Sequence, residues 1–156
     1  MSQATAGCIA GTDPDKIWQL PDTTGMKNEV VMLGGRNAFD SALRLPGGKL
    51  VIAATLADLP GAITAQTAMV YTTFHDERVQ EALKVTKAKG VPLMVDGSAT
   101  VPPFENFTKY AKWGVDLYTI SGGKGMGGPQ CSGVLLGRKD LIDAAMANSA
   151  PWEGAV

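Results

Sequence analysis

The chain has 156 residues, 45% of them hydrophobic, and a net charge of −1. That suffices for one compact domain around one core. The near-neutral balance leaves no clustered basic face of the kind that nucleic acid requires. One histidine and two distant cysteines, Cys8 and Cys131, offer no metal or redox spacing and point to a reduced, cytoplasmic chain. No apolar run approaches the roughly 18 residues of a membrane span, and the start does not read as a signal peptide.

Residues 1–9 are small and weakly patterned, so the expectation is a frayed start or a helix with an exposed apolar side. Thr12-Asp13-Pro14-Asp15 signals a helix start, and a short helix through Ile17-Trp18-Gln19 should end before Pro21. Asp22-Thr23-Thr24-Gly25 is turn chemistry. Glu29–Leu33 reads as a strand by its β-branched content, and Gly34-Gly35-Arg36-Asn37 breaks it. Residues 37–45 then place Phe39, Ala42, Leu43 and Leu45 at helical spacing, with Asn37 as N-cap. Lys49–Ala53 is a short strand, and 56–65 is a helix interrupted by Pro60 and Gly61. Thr67–Thr72 is another strand, ending near His75, whose plain reading is a hydrogen-bonded loop residue. Residues 77–89 form an amphipathic helix with Val79, Ala82, Leu83, Val85 and Thr86 on one face, and Gly90 stops it.

The most informative stretch follows. Residues 92–95 (PLMV) form a compact apolar run that delivers Asp96 at a strand end, and 115–120 (VDLYTI) reads as a second strand leading into Ser121-Gly122-Gly123-Lys124. Between them, 104–113 has helix-like spacing with Phe104, Phe107, Ala111 and Trp113 roughly on one side. A strand, a crossover helix and a strand make a right-handed parallel unit. Asp96 and Lys124 then emerge together at the carboxyl edge of one sheet, where open α/β folds bind ligands. Residues 131–136 run back as a strand, and Arg138-Lys139-Asp140 starts a last helix over 141–147. Short apolar strands alternating with helices of about ten residues mean an α/β fold, a mostly parallel sheet flanked by helices on both faces.

A lysine amine and a carboxylate in this arrangement suit pyridoxal 5′-phosphate. That cofactor needs an amine for its aldehyde and a carboxylate to keep its pyridine nitrogen protonated. Ser121 and the amides of the glycine-rich turn are candidate phosphate donors. Two plain readings stand beside this one: Asp96 as a turn cap and Lys124 as a solvated loop lysine. The loop also matches G-x-G-x-x-G at Gly123, Gly125 and Gly128, but that dinucleotide fingerprint must open a helix. Here Gly128-Pro129-Gln130 and another strand-like run follow. The nucleotide reading fails on context.

LPDTTGMKNEVV, VDGSATVPPFENFTKYAKWGVDL and SGGKGMGGPQCSGVLLGRKDLI resemble the selenocysteine synthase-related family of fold-type-I pyridoxal-phosphate enzymes. That family includes L-seryl-tRNA(Sec) selenium transferase and relatives resembling D-glucosaminate-6-phosphate ammonia-lyase. The resemblance implies the large domain of an aspartate aminotransferase-like enzyme. It makes Lys124 the Schiff-base lysine and Asp96 the partner of the pyridine nitrogen, and it implies that 131–136 pairs antiparallel to its neighbour. Relatives carry a His-Arg-Asn run where this chain has Gly35-Arg36-Asn37, which leaves Arg36 as that loop's candidate for stacking or phosphate contact. A surface arginine in a turn is the competing reading. By the same resemblance, residues 1–156 are a partial large domain lacking the N-terminal phosphate loop and the C-terminal small domain. The implied reaction is α,β-elimination or β-replacement at an amino-group substrate, in a homodimer or higher homo-oligomer without membrane contact. A small amino acid or amino sugar is favoured over tRNA, because the charge balance is neutral to acidic. The alternative is a catalytically incomplete fragment that binds no cofactor.

Overall fold

In the computed structural model, which describes residues 1–149, the chain folds as a three-layer α/β structure. The end of the chain at Trp152–Val156, read above as stopping short of a small domain, lies outside the described residues. Seven helices and six strands follow in order: α1 (Ser2–Ala10), α2 (Pro14–Gln19), β1 (Glu29–Leu33), α3 (Ser41–Arg44), β2 (Lys49–Ala53), α4 (Leu59–Ala62), β3 (Thr67–Thr72), α5 (Arg78–Lys89), β4 (Leu93–Asp96), α6 (Asn106–Trp113), β5 (Leu117–Ser121), β6 (Gly133–Gly137) and α7 (Lys139–Ala147). The strands form one sheet in the order β2-β1-β3-β4-β5-β6. All pairs are parallel except β5 with β6, which is antiparallel.

The two-residue period of a strand sorts the apolar side chains between two cores. Val31, Leu33, Val70, Leu93, Val95, Tyr118 and Ile120 meet Leu59 of α4, Val79, Ala82 and Leu83 of α5, and Tyr110 of α6. Val30, Met32, Met69, Tyr71, Met94 and Leu117 meet Ala4 of α1, Leu43 of α3, and Leu141 and Ile142 of α7. Both faces of β3 and β4 are thus buried, as parallel strands between helical layers must be. The crossover leaving β1 runs to β2 on one side, whereas the one leaving β3 runs to β4 on the other. The strand order therefore reverses between β1 and β3, and open α/β sheets bind ligands at the carboxyl edge near such a reversal.

Four expectations change on contact with the structure. The start is neither frayed nor open: α1 is buried along Ala4–Gly7 and at Ile9 and Ala10. Gly7 sits so close to α7 that a Cβ there would stand 2.8 Å from the Ala145 nitrogen. The helix expected over 37–45 shrinks to Ser41–Arg44, because Asn37 Oδ1 accepts the Phe39 amide at 2.8 Å and folds the first residues into a turn. Phe39 and Leu45 are left exposed. The helix expected over 56–65 reduces to Leu59–Ala62, since Asp58 accepts the Thr55 amide and hydroxyl and holds the preceding residues in a turn. On α6 the buried side chain is Tyr110, not Phe104 or Ala111, which face outward.

Candidate functional site

Asp96 is the last residue of β4, one step beyond Val95 and on the same face as Met94. It therefore points toward the α1 layer at the carboxyl edge, 6% exposed. The Tyr71 hydroxyl donates to its Oδ2 at 2.8 Å. Its Oδ1 accepts the Ser98 amide at 3.0 Å, the Ser98 hydroxyl, and the Thr119 hydroxyl at 3.4 Å. A carboxylate offers two acceptor positions on each oxygen. Oδ1 is fully engaged, while Oδ2 retains one position for a further donor. Burial pushes the Asp96 carboxyl up, but the Ser98 and Tyr71 hydrogen bonds and the charge of Lys124 together hold it below its usual range. The carboxylate stays ionised inside the protein.

Lys124 is built differently. It lies in the loop between β5 and β6, exposed, with no hydrogen bond or ion pair among the described residues. Its ammonium stands 5.9 Å from the centre of the Phe39 ring, which is itself 58% exposed. The loop beneath it is firm. Gly122 donates to the Ser132 carbonyl at 2.9 Å, Gly128 to the Gly122 carbonyl at 2.8 Å, and Gly127 to the Lys124 carbonyl at 3.0 Å. At Gly125 a Cβ would overlap the Val101 carbonyl oxygen, so only glycine lets the loop lie against the chain leaving β4. An exposed, unbonded side chain is thereby mounted on a well-bonded turn. No helix follows this turn: β6 does, so the dinucleotide fingerprint lacks its structural context here as well.

Ser121 ends β5, half-buried, and its amide donates to the Ser98 carbonyl at 3.3 Å, tying the two strand ends together. A recess of about 350 Å³, lined by Met1, Gln3, Thr119, Ser132 and Gly133 among others, opens on the same side of β5. Arg36 lies in the loop after β1, but its Nε donates to Asp40 Oδ2 at 2.6 Å, and Asp40 also receives Arg44. The structure thus gathers Asp96, Ser121 and Lys124 at one edge, while Arg36 is engaged by its own loop. The turn around Gly35 carries no ring; Phe39 supplies the flat aromatic face nearest Lys124 instead.

Several residues of this edge escape a reading of sequence. Tyr71 sits mid-run in a strand whose residues are all buried, so no alternation marks it. Ser98 and Thr119 are two residues from Asp96 and Ser121, a spacing that puts Thr119 on the site's face of β5. Phe39 looked like helix core. His75, at the end of β3, contacts the Tyr110 hydroxyl through Nδ1 at 3.1 Å, and Lys109 holds its carbonyl at 2.8 Å. Burial lowers the His75 pKa against the opposing pull of Asp96, so at neutral pH the ring is uncharged.

An ionised Asp96 with one position open on Oδ2 and an exposed Lys124 thus share the carboxyl edge of a sheet built on a fold-type-I scaffold. The aminotransferase class-V family profile matches residues 53–155, and the chain belongs to that family, whose enzymes depend on pyridoxal phosphate. The D-glucosaminate-6-phosphate ammonia lyase of Salmonella typhimurium is 34% identical over 92% of this chain and 42% of its own length. A solved structure of D-glucosaminate-6-phosphate ammonia-lyase superposes with a TM-score of 0.81 at 30% identity, covering 94% of this chain and 43% of that one. An L-seryl-tRNA(Sec) selenium transferase of Pasteurella multocida is more distant, 28% identical over 92% of this chain and 38% of its own length. The chain spans about two-fifths of the curated relatives it matches.

Proposed function

We propose that this chain is part of the cofactor-binding large domain of a pyridoxal-phosphate enzyme related to L-seryl-tRNA(Sec) selenium transferase. It would act on an amino-group substrate by α,β-elimination or β-replacement. The observation that carries this reading is the pairing, on one sheet edge, of a buried ionised Asp96 with an exposed Lys124 whose charge it feels. When bound, pyridoxal phosphate supplies an aldehyde for amines and a protonated ring that draws electrons from the carbon next to the nitrogen.

The chain's own residues supply the rest. The remaining lone pair of Asp96 Oδ2 would accept the pyridine N–H and keep that proton in place. Lys124 Nζ would hold the cofactor aldehyde, and its amine would serve as the base toward the substrate's α-carbon. The Ser121 hydroxyl and the amides of residues 123–126, which the turn's own bonds do not use, would bind phosphate. Arg36 adds to phosphate binding if it exchanges Asp40 for the ligand. In a homodimer or larger homo-oligomer the 127–130 turn would face a neighbouring subunit. A small amino acid or amino sugar is the favoured substrate over tRNA. The net charge of −1 offers no basic platform, and an ammonia lyase named for an amino-sugar phosphate aligns at 34% identity. Two free cysteines suit a reducing cytoplasm.

The test is an absorbance scan of the protein with added pyridoxal phosphate, alongside Lys124→Ala, followed by borohydride reduction and peptide mass mapping. A near-visible band lost in the variant, with the added mass on Lys124, supports the reading. A folded wild-type protein without a band selects the second reading, a piece that holds no cofactor.

A further inference from the structure

Tyr71 is one of the largest fully buried side chains, 1% exposed, yet it carries a hydroxyl into a layer otherwise built from methionine, valine and leucine. A buried phenol needs a partner for its proton. Here that partner is Asp96 Oδ2, at 2.8 Å. Phenylalanine would fill the same volume, so packing alone does not explain the hydroxyl. One hydroxyl on β3 thus holds the carboxylate at the end of the neighbouring β4.

We propose that Tyr71 is a positioning residue: its hydroxyl fixes the Asp96 carboxylate in its ionised form and leaves the remaining lone pair of Oδ2 for the cofactor ring. This rests on the cofactor site proposed above. A donor to the charged form of a buried acid stabilises that form, and its loss leaves burial less opposed. The other groups facing Asp96 are the Ser98 and Thr119 hydroxyls, Lys124, His75 and the Met1 amine. None of them contacts Oδ2 by hydrogen bond, so none replaces Tyr71 there. Burial and the Asp96 charge push the Tyr71 phenol far up, and it remains a donor throughout the working pH range.

The experiment compares wild type, Tyr71→Phe and a control, Tyr118→Phe, in the full chain. Tyr118 is also buried, donates to the Phe107 carbonyl and lies on the opposite face of the sheet. Carbon-13 carboxyl NMR without cofactor reads the Asp96 titration, and absorbance with pyridoxal phosphate reads retention. Tyr71→Phe should raise the Asp96 pKa by about one unit, a tenfold change in proton affinity, and weaken retention about tenfold, while Tyr118→Phe moves neither. An Asp96 titration in Tyr71→Phe that superposes on wild type overturns the proposal, as does an equal shift in Tyr118→Phe. A wild type that takes up no cofactor overturns the proposed function instead, and the carboxyl titration still decides the role of Tyr71.

Discussion

Asp96 and Lys124 stand on the same sheet edge and are held in opposite ways. The carboxylate is buried and gripped by Tyr71, Ser98 and Thr119; the amine is exposed, 5.9 Å from the centre of the Phe39 ring. The difference matches the work each would do. A group that must keep one charge at one atom is best built into the strand ends, where three elements converge. A group that must visit two partners is best placed on a long side chain above a turn that does not itself move. Fixity and freedom are separated by residue, not by region, since the turn under Lys124 is as tightly bonded as the strand end under Asp96.

That contrast can be broken from either side. Removing the mobile partner should cost the most function and the least stability. Lys124→Ala is expected to lower the parent enzyme's turnover on the order of 10³-fold or more while leaving the thermal midpoint of this chain within error, checked by steady-state kinetics and calorimetry. Asp96→Asn should do the reverse in part. It keeps an acceptor for Tyr71 but confronts the Ser98 donors with an amide, so chemical denaturation should show a loss of about 1–3 kcal/mol, and cofactor-dependent activity should fall on the order of a hundredfold.

The same carboxylate predicts a pH dependence. Its folded pKa lies below the ordinary 3.8, so its stabilisation is fully present above about pH 4 and disappears as pH falls through the folded value. Asp96→Asn should therefore flatten the acid limb of a stability–pH curve below about pH 4. An unchanged slope there would show that the site's hydrogen bonds do not favour the ionised form. Gly125→Ala probes the turn: the Val101 carbonyl blocks its Cβ, so the turn must shift. Cofactor retention should drop about tenfold or more with secondary structure intact by circular dichroism. The smallest effect is expected from Tyr110→Phe, which removes the hydroxyl beside His75 and should cost about 1 kcal/mol without altering cofactor retention.

Much of this was legible in the residues. The strands at Glu29–Leu33, Lys49–Ala53 and Thr67–Thr72 announce themselves by β-branched runs between turn-formers, and α5 by its amphipathic spacing and Gly90 stop. Asp96 and Lys124 were visible because each follows an apolar run that could only be a strand. What stayed hidden depends on which neighbour a residue finds. The turn at Asn37 competes with a helix by a local side-chain bond that helical spacing does not reveal. The exposed starting helix became a buried one because α7, 130 residues on, covers it through Gly7. Tyr71 is the clearest case: only the parallel register of β3 with β4, Tyr71 opposite Met94, brings its hydroxyl to the next-but-one position, where Asp96 waits.

The central claim is that Asp96 and Lys124 hold one cofactor between them. The most direct measurement is a crystal structure of the protein grown with pyridoxal phosphate. The account predicts density continuous from Lys124 Nζ to the cofactor, with the pyridine nitrogen within hydrogen-bonding distance of Asp96 Oδ2 and the phosphate against the 121–128 turn. Cofactor density lying elsewhere, or attached to Lys124 with the ring turned away from Asp96, would contradict it.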